Sequence, residues 1–173
     1  KCITEAQITS GSKILVRCDL DVPLESGKIL DPFRLKASLP TLNYIKEHGA
    51  MPVIVGHIGR PHGVEPELST AVLTSFYDEQ LGVDSYVLLE NDRFDYREKE
   101  ADISFAKELV ERSGASSYVN DAFGVSHRSD TSIITIPMVL TSYAGISLIN
   151  EVTNLDRVIK SPKRPLVAVI GGA

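Results

Sequence analysis

The chain has 173 residues, of which 43% are hydrophobic and 24% are charged, and its formal net charge is −5. This length and composition are typical of one ordinary globular domain that can bury its own core. The acidic balance argues against a general nucleic-acid-binding protein, two cysteines are too few for a disulfide framework, and no apolar stretch is long enough to span a membrane.

Apolar runs and helical spacing alternate along the first half of the chain. A buried strand is predicted over Lys13–Leu20 and a second over Met51–Val55. Between them, apolar residues at helical spacing predict a helix that ends at Gly49. Because proline is tolerated in a first helical turn but not in a helix interior, Pro40 predicts that the regular helix restarts near Ser38.

The second half of the chain continues this alternation, with capping residues and glycines at the helix ends. In chain order, the predicted elements are a helix capped by Ser69 or Thr70 and ended by Gly82, a strand at Ser85–Leu89, a helix capped by Asp102 and ended by Gly114, a strand at Ser117–Val119, a helix around Ile146–Ile159 and a strand at Leu166–Ile170. The alternation predicts an α/β fold with three layers, in which helices cover both faces of a mostly parallel, Rossmann-like sheet.

Basic side chains recur where the predicted strands end. His57 and Arg60 follow the second strand in a glycine-rich turn, Arg93 follows the third strand, and Arg128 follows the fourth. Ligands of open α/β sheets bind at the edge formed by the carboxyl ends of the strands, so we expect these side chains on one rim. The planar guanidinium group suits phosphate and carboxylate, and the sequence therefore predicts a site for a small poly-anion.

Three acidic side chains near this rim have a structural and a functional interpretation. Asp19 and Asp21 could bind a metal or accept hydrogen bonds from substrate hydroxyls, and they could equally cap turns or pair with arginines. Glu90 is expected to neutralise Arg17 or Arg93 beneath the site. The sequence has no dinucleotide-binding or P-loop motif, no G-x-S-x-G nucleophile elbow and no Cys/His spacing typical of a metal site.

Six stretches of the sequence resemble the N-terminal domain of phosphoglycerate kinases. They run in family order over essentially the whole chain and are Val16–Pro23, Arg34–Thr41, Gly56–Pro61, Leu88–Phe94, Val119–Gly124 with His127-Arg128, and Arg164–Ala173. The resemblance implies a cytoplasmic, monomeric glycolytic enzyme that transfers a phosphoryl group reversibly from 1,3-bisphosphoglycerate to ADP, giving 3-phosphoglycerate and ATP. It implies a phosphoglycerate-binding domain at residues 1–160, followed at residues 161–173 by a linker and the first strand of a nucleotide-binding domain.

The resemblance also implies a role for each candidate residue. Asp19 and Asp21 would face the carboxyl and hydroxyl groups of the glycerate, and Arg34 would act as the catalytic residue that stabilises the transferred group. The side chains that would hold the non-transferred phosphate are His57, Arg60, Arg93 and Arg128. Mg-ADP or Mg-ATP would be bound mainly by the second domain, with Gly171, Gly172 and Ala173 at the start of the nucleotide site, and no residue here is expected to bind the metal directly.

Three features depart from the usual pattern of this family. Asp21 stands where the family usually has Asn, the stretch Gly63–Leu88 is shorter by about one strand–helix unit, and the nucleotide-binding domain is absent beyond Ala173. We therefore expect a fragment that binds the phosphoglycerate side and is inactive alone. The alternative is a stand-alone anion-binding module with no catalytic activity.

Overall fold

Five parallel strands form the central sheet in the computed structural model, which describes residues 1–169 and 171. The strands of the chain are β1 (Lys13–Arg17), β2 (Leu24–Glu25), β3 (Lys28–Ile29), β4 (Met51–Val55), β5 (Val87–Leu88), β6 (Ser117–Asn120) and β7 (Ser142–Ala144). The order across the main sheet is β5-β4-β1-β6-β7, with parallel pairing throughout. The strands β2 and β3 form a separate antiparallel hairpin.

The described residues form the α-helices α1 (Phe33–Glu47), α2 (Thr74–Leu81), α3 (Ile103–Ser113), α4 (Ile136–Val139) and α5 (Ile146–Lys160). The short helix α4 was not predicted from the sequence. Asp102 caps α3 by accepting a hydrogen bond from the Phe105 N–H at 2.7 Å, and Gly114 ends it with a φ of 62°. Ser69 caps a 3₁₀ turn that leads into α2, and Gly82 follows that helix. Within the described residues, no helix is both long and apolar enough to cross a membrane.

Residues of β1 alternate between two hydrophobic cores, one on each face of the sheet. Ile14 and Val16 pack on the face that also buries Leu42 of α1. Leu15 packs on the opposite face with Phe105 of α3 and Ile136 of α4. Because both faces are covered by helices, the predicted three-layer α/β fold is confirmed.

Two predictions about individual elements were wrong. The helix α1 does not restart near Ser38 but runs continuously through Pro40. Leu35 and Leu42 are fully buried on either side of this proline, so core packing holds the helix on both sides of the missing hydrogen bond. At Leu166–Ile170, residues 166–169 form no strand, and Ile170 lies outside the described residues. Leu166 is 52% exposed, and no strand among the described residues pairs with residues 166–169.

Candidate functional site

The loops that follow β1, β4, β5 and β6 meet at the carboxyl edge of the sheet. The pairing registers align Arg17 of β1 with Val55 of β4 and with Asn120 of β6, so the chain leaves these strands at one level. The residues that follow, from Cys18, Gly56 and Asp121 onward, therefore belong to adjacent loops. This edge holds the candidate residues that the sequence predicts to be neighbours.

His57 lies at the centre of the basic side chains of this rim. It is 2% exposed, and its Nδ1 accepts a hydrogen bond from Nη2 of Arg17 at 2.8 Å. Burial, followed by nearby positive charges, lowers the pKa of His57 to about 2. These charges belong to Arg17, Arg93, Arg128 and Arg34. The imidazole is therefore neutral at physiological pH, and its proton resides on Nε2, where it can be donated to an anion.

Arg34 and Asp19 form the more open part of the rim. Nη1 of Arg34, at the start of α1, lies 3.4 Å from Oδ1 of Asp19, and the Arg34 side chain is 51% exposed. A cleft of about 240 Å³ lies against both residues and also against Phe123 and Gly124. A Cβ atom at Gly124 would lie 2.9 Å from Oδ2 of Asp19, so a glycine at this position leaves room for the carboxylate. Arg34 thus presents a solvent-accessible guanidinium group to a cleft large enough for a small acid.

Asp21 holds the loop that carries His57 and Arg60. Its Oδ1 accepts a hydrogen bond from the Gly59 N–H at 2.8 Å. Gly59 has a φ of 67°, a conformation that favours glycine, so the loop turns sharply at the point that Asp21 fixes. The Asp21 side chain therefore accepts a backbone hydrogen bond that positions the loop carrying His57 and Arg60.

Arg93 is buried, whereas Arg60 and Arg128 are more accessible. Arg93 is 5% exposed, with Nη1 donating to the Gly59 carbonyl at 3.1 Å and Nη2 donating to Oδ2 of Asp130 at 3.2 Å. Arg60 is exposed and Arg128 is half-buried. Among the described residues neither Arg60 nor Arg128 forms an ion pair, so no carboxylate of these residues competes with an anion for either guanidinium group.

Arg17 lies at the base of the site, although the sequence predicts it only as a partner for Glu90. Its side chain is fully buried, and its Nε donates to the Ser132 Oγ at 2.8 Å and lies 3.5 Å from the Asp92 carboxylate. Its Nη1 donates to the backbone carbonyl of Cys18. An arginine inside an otherwise apolar run is the signal that could have revealed it, because buried charge is rare without partners.

Glu90, the predicted partner of the buried arginines, does not pair with them. Glu90 instead accepts hydrogen bonds from Ser69, Thr70 and the Asn91 N–H, so it anchors the turn before α2. Asp92 lies beside Arg17, and Asp130 pairs with Arg93. Sequence reasoning missed both because their partners lie far away along the chain or on a different loop.

Glu98 completes this buried cluster. Its Oε1 accepts from the Ser132 Oγ at 2.6 Å and its Oε2 accepts from the Ser132 N–H at 3.1 Å. Burial, followed by the negative charge of Asp92, raises the pKa of Glu98 to about 9. Glu98 is therefore protonated at neutral pH. Burial also raises the pKa of Asp92, whereas the charges of Arg17 and Arg93 oppose this rise.

Asp121 has a structural role at the turn after β6. It is 4% exposed, and its Oδ1 accepts from the Leu148 N–H at 3.0 Å, in the first turn of α5. Burial raises its pKa to about 6. At the other end of the chain, Gly171 is exposed, and the predicted nucleotide-site residues Gly172 and Ala173 lie outside the described residues.

Comparisons with known proteins agree on one family. The family model of phosphoglycerate kinase matches residues 3–84 and 77–173. The phosphoglycerate kinases of Borrelia garinii subsp. bavariensis and Thermomicrobium roseum are 37% and 39% identical to this chain over 196 and 184 residues. These alignments cover 100% and 93% of this chain but 49% and 46% of the relatives, so the chain spans about half the length of the curated relatives it matches.

Solved structures show the same relationship. The phosphoglycerate kinase from Coxiella burnetii has a TM-score of 0.88 and 30% identity, and covers 99% of this chain and 48% of its own. The enzyme from Pyrococcus horikoshii OT3 has a TM-score of 0.77 and 26% identity, over 95% of this chain and 47% of its own. The two stretches that match the family model overlap at residues 77–84, within the region Gly63–Leu88 that is predicted to be shortened.

Proposed function

This chain belongs to the phosphoglycerate kinase family, and on that premise we propose that the protein carrying it transfers a phosphoryl group reversibly from 1,3-bisphosphoglycerate to ADP. The products are 3-phosphoglycerate and ATP. Residues 1–160 form the phosphoglycerate-binding domain of this proposal, and residues 161–173 lead into a nucleotide-binding domain. A monomeric, cytoplasmic enzyme of glycolysis is the corresponding expectation for the complete protein.

One observation carries the proposal, namely the convergence of cationic side chains on the carboxyl edge of the sheet. Arg17 contacts His57, and Arg93 contacts the Gly59 carbonyl of the same loop, so segments distant in sequence bring their charges to one place. A phosphorylated three-carbon acid carries a phosphate and a carboxylate, and guanidinium groups bind both. A rim of this kind suits such a substrate better than it suits a neutral one.

Each candidate residue has a role that follows from its accessibility. Arg60 and Arg128 are free to hold the non-transferred phosphate, and neutral His57 adds an Nε2–H donor. The buried Arg93 donates a hydrogen bond to the Gly59 carbonyl and so positions the loop that carries His57 and Arg60. Asp21 fixes the same loop through the Gly59 N–H. The non-transferred end of the substrate is thus held mainly by the loop after β4 and the segment after β6.

Arg34 and Asp19 are assigned to the reacting end of the substrate. Asp19 can accept a hydrogen bond from the glycerate hydroxyl, while the half-exposed Arg34 guanidinium can approach the transferred phosphoryl group across the cleft. Phosphoryl transfer depends on positioning and on stabilising the charge of the equatorial oxygens, so no covalent nucleophile is needed. An arginine in this role is worth about 10³–10⁵ in rate in phosphoryl-transfer enzymes generally.

The nucleotide is assigned to the second domain, with Gly171–Ala173 at the beginning of its site. Mg²⁺ bound to the nucleotide supplies charge neutralisation between the phosphates. In the described part of this chain, no group of three or more His, Cys, Asp or Glu side chains could hold a metal ion. The contribution of these residues is therefore to bind, orient and electrostatically stabilise the acid substrate.

Calorimetric titration of 3-phosphoglycerate, together with a coupled ATP-formation assay on the full-length protein, tests the proposal. We expect saturable binding and turnover, with binding reduced by Arg128→Ala. Binding without turnover would instead support a non-catalytic anion-binding module. The absence of binding at millimolar 3-phosphoglycerate would contradict both functions.

A further inference from the structure

Three arginines of the rim already have internal carboxylate partners. The pairs are Arg17–Asp92, Arg34–Asp19 and Arg93–Asp130, with nitrogen–oxygen distances of 3.5, 3.4 and 3.2 Å. An anion that binds to these three guanidinium groups must therefore compete for them with carboxylates of the protein. The strength of that competition depends on how each carboxylate is held.

The side chains of the Arg93–Asp130 pair are both buried, and Arg93 also contacts the loop after β4 through the Gly59 carbonyl. The two side chains are 3% and 8% exposed. Nη1 of Arg93 is committed to the Gly59 carbonyl and Nη2 to Asp130. The Nε of Arg93 has no hydrogen-bond partner among the described residues. An incoming anion can gain the charge of Arg93 in full only if Asp130 gives up Nη2.

The Asp130 carboxylate is not needed to form its own turn. The turn over Thr131–Thr135 begins at Asp130, whose backbone carbonyl accepts from the N–H groups of Ile133 and Ile134 at 2.9 and 3.0 Å. The carboxylate makes no capping hydrogen bond to that turn. Its hydrogen bond to Nη2 of Arg93 is therefore its principal contact.

Resting on the proposed function, we propose that Asp130 is an internal competitor of the bound acid and limits the affinity of the site. The carboxylate occupies Nη2 of Arg93 in the free protein and places a negative charge beside an anion-binding rim. Removing that charge weakens the competition for Nη2 of Arg93 and raises affinity for a phosphorylated acid by about tenfold, equivalent to about 1.4 kcal/mol. Asp130 is thus a positioning residue that acts through Arg93 and does not itself contact the substrate.

The central experiment uses calorimetry to compare the full-length wild-type protein with the Asp130→Asn variant. The affinity of each protein is measured for 3-phosphoglycerate and, in parallel, for inorganic phosphate. Asparagine has the same shape and can still accept from Nη2, so the variant removes the charge with little change in packing. Asp156→Asn is the control, since it removes an equal charge from a pair with Lys160 on the exposed face of α5. We expect about tenfold tighter binding in Asp130→Asn and no change in Asp156→Asn.

A double-mutant cycle separates this role from a structural one. In the Arg93→Ala background, Asp130→Asn is expected to change affinity by less than about twofold, because the residue it acts through is gone. A gain of the same size with and without Arg93 would contradict the mechanism. A folded Asp130→Asn protein that binds neither ligand more tightly than wild type would overturn the proposal.

The outcomes also distinguish this inference from the proposed function. If no variant binds 3-phosphoglycerate but phosphate binding improves in Asp130→Asn, the proposed substrate is wrong and the competitor role stands. If Asp130→Asn does not fold, Asp130→Ser supplies the same comparison. Failure of both variants to fold would show that the ion pair is structural and would overturn the inference.

Discussion

Glu98 makes the stability of this protein depend on pH above neutrality. Its side chain is buried, and burial together with the charge of Asp92 raises its pKa from the ordinary value of 4.5 to about 9. At pH 7 the folded protein therefore carries a protonated Glu98, whereas the unfolded chain carries a carboxylate. We expect Glu98→Gln, which cannot ionise, to remove this difference.

The sign and size of the effect follow from the two pKa values. Between pH 4.5 and about 9 the folded state binds more protons at Glu98 than the unfolded state. The contribution of Glu98 to stability is thus complete below the lower value and is lost as the pH rises through the window. One proton corresponds to about 1.4 kcal/mol per pH unit, so wild type should lose about 2 kcal/mol between pH 7 and 8.5.

Two other buried groups restrict where this slope is visible. The pKa of His57 is lowered from 6.5 to about 2, chiefly by burial, so its contribution rises with pH and is complete above 6.5. Burial raises the pKa of Asp121 from 3.8 to about 6. Its contribution to stability is complete below pH 3.8 and is lost by the time the pH has risen to about 6. Above pH 7 neither group changes further. Burial also raises the pKa of Asp92, whose charge acts on Glu98, so the Glu98→Gln variant is needed to assign the slope to Glu98.

Urea unfolding at several pH values between about 7 and 8.5 measures this slope as the change in the free energy of unfolding. Glu98→Gln should lose less than about 0.5 kcal/mol over this range, whatever its absolute stability. Glu111→Gln is the matched control, because Glu111 lies exposed on α3 and should keep the wild-type slope. Equal slopes in wild type and Glu98→Gln would refute the assignment of the buried proton to Glu98.

Three further substitutions test the site and its support. In a coupled assay, Arg34→Ala should lower kcat of the full-length enzyme by at least about 10³-fold with a much smaller change in KM, because the contact of Arg34 strengthens in the transition state. A variant in which only KM changes would contradict this role. Arg60→Ala and Arg128→Ala should each weaken 3-phosphoglycerate binding about tenfold in calorimetry, and unchanged affinity in both would remove them from the site. Asp121→Ala should destabilise the fold by about 1–2 kcal/mol in urea unfolding through loss of the Leu148 hydrogen bond, whereas Asp121→Asn should retain most of the stability.

Local sequence patterns were sufficient for the main architecture. The strand Met51–Val55 has its predicted bounds, and the cap at Asp102 and the stop at Gly114 are where the sequence placed them. These features depend on hydrophobic runs, side-chain capping and glycine conformations, which act over a few neighbouring residues. The short strand Ser142–Ala144 was not predicted, because three residues carry too little pattern and the strand is defined by its pairing with β6.

The positions of the basic residues were predicted from the same patterns, since parallel strands deliver their following loops to one edge. Which arginine is free and which is paired could not be predicted. Arg93 and Asp130 are separated by 37 positions, and Arg17 and Ser132 by 115. Charge balance in a low-dielectric interior depends on distances between side chains from different loops.

By itself, the sequence determined most of the longer helices and strands, the parallel sheet and the family, because these depend on short-range pattern and motif. The tertiary structure alone decided that Arg17 lies at the centre of a buried charge cluster, that Glu90 anchors a turn, and that Asp130 holds Arg93. The physical reason is that solvation and pairing of a charge are properties of its three-dimensional surroundings, to which residues far apart in the chain contribute equally.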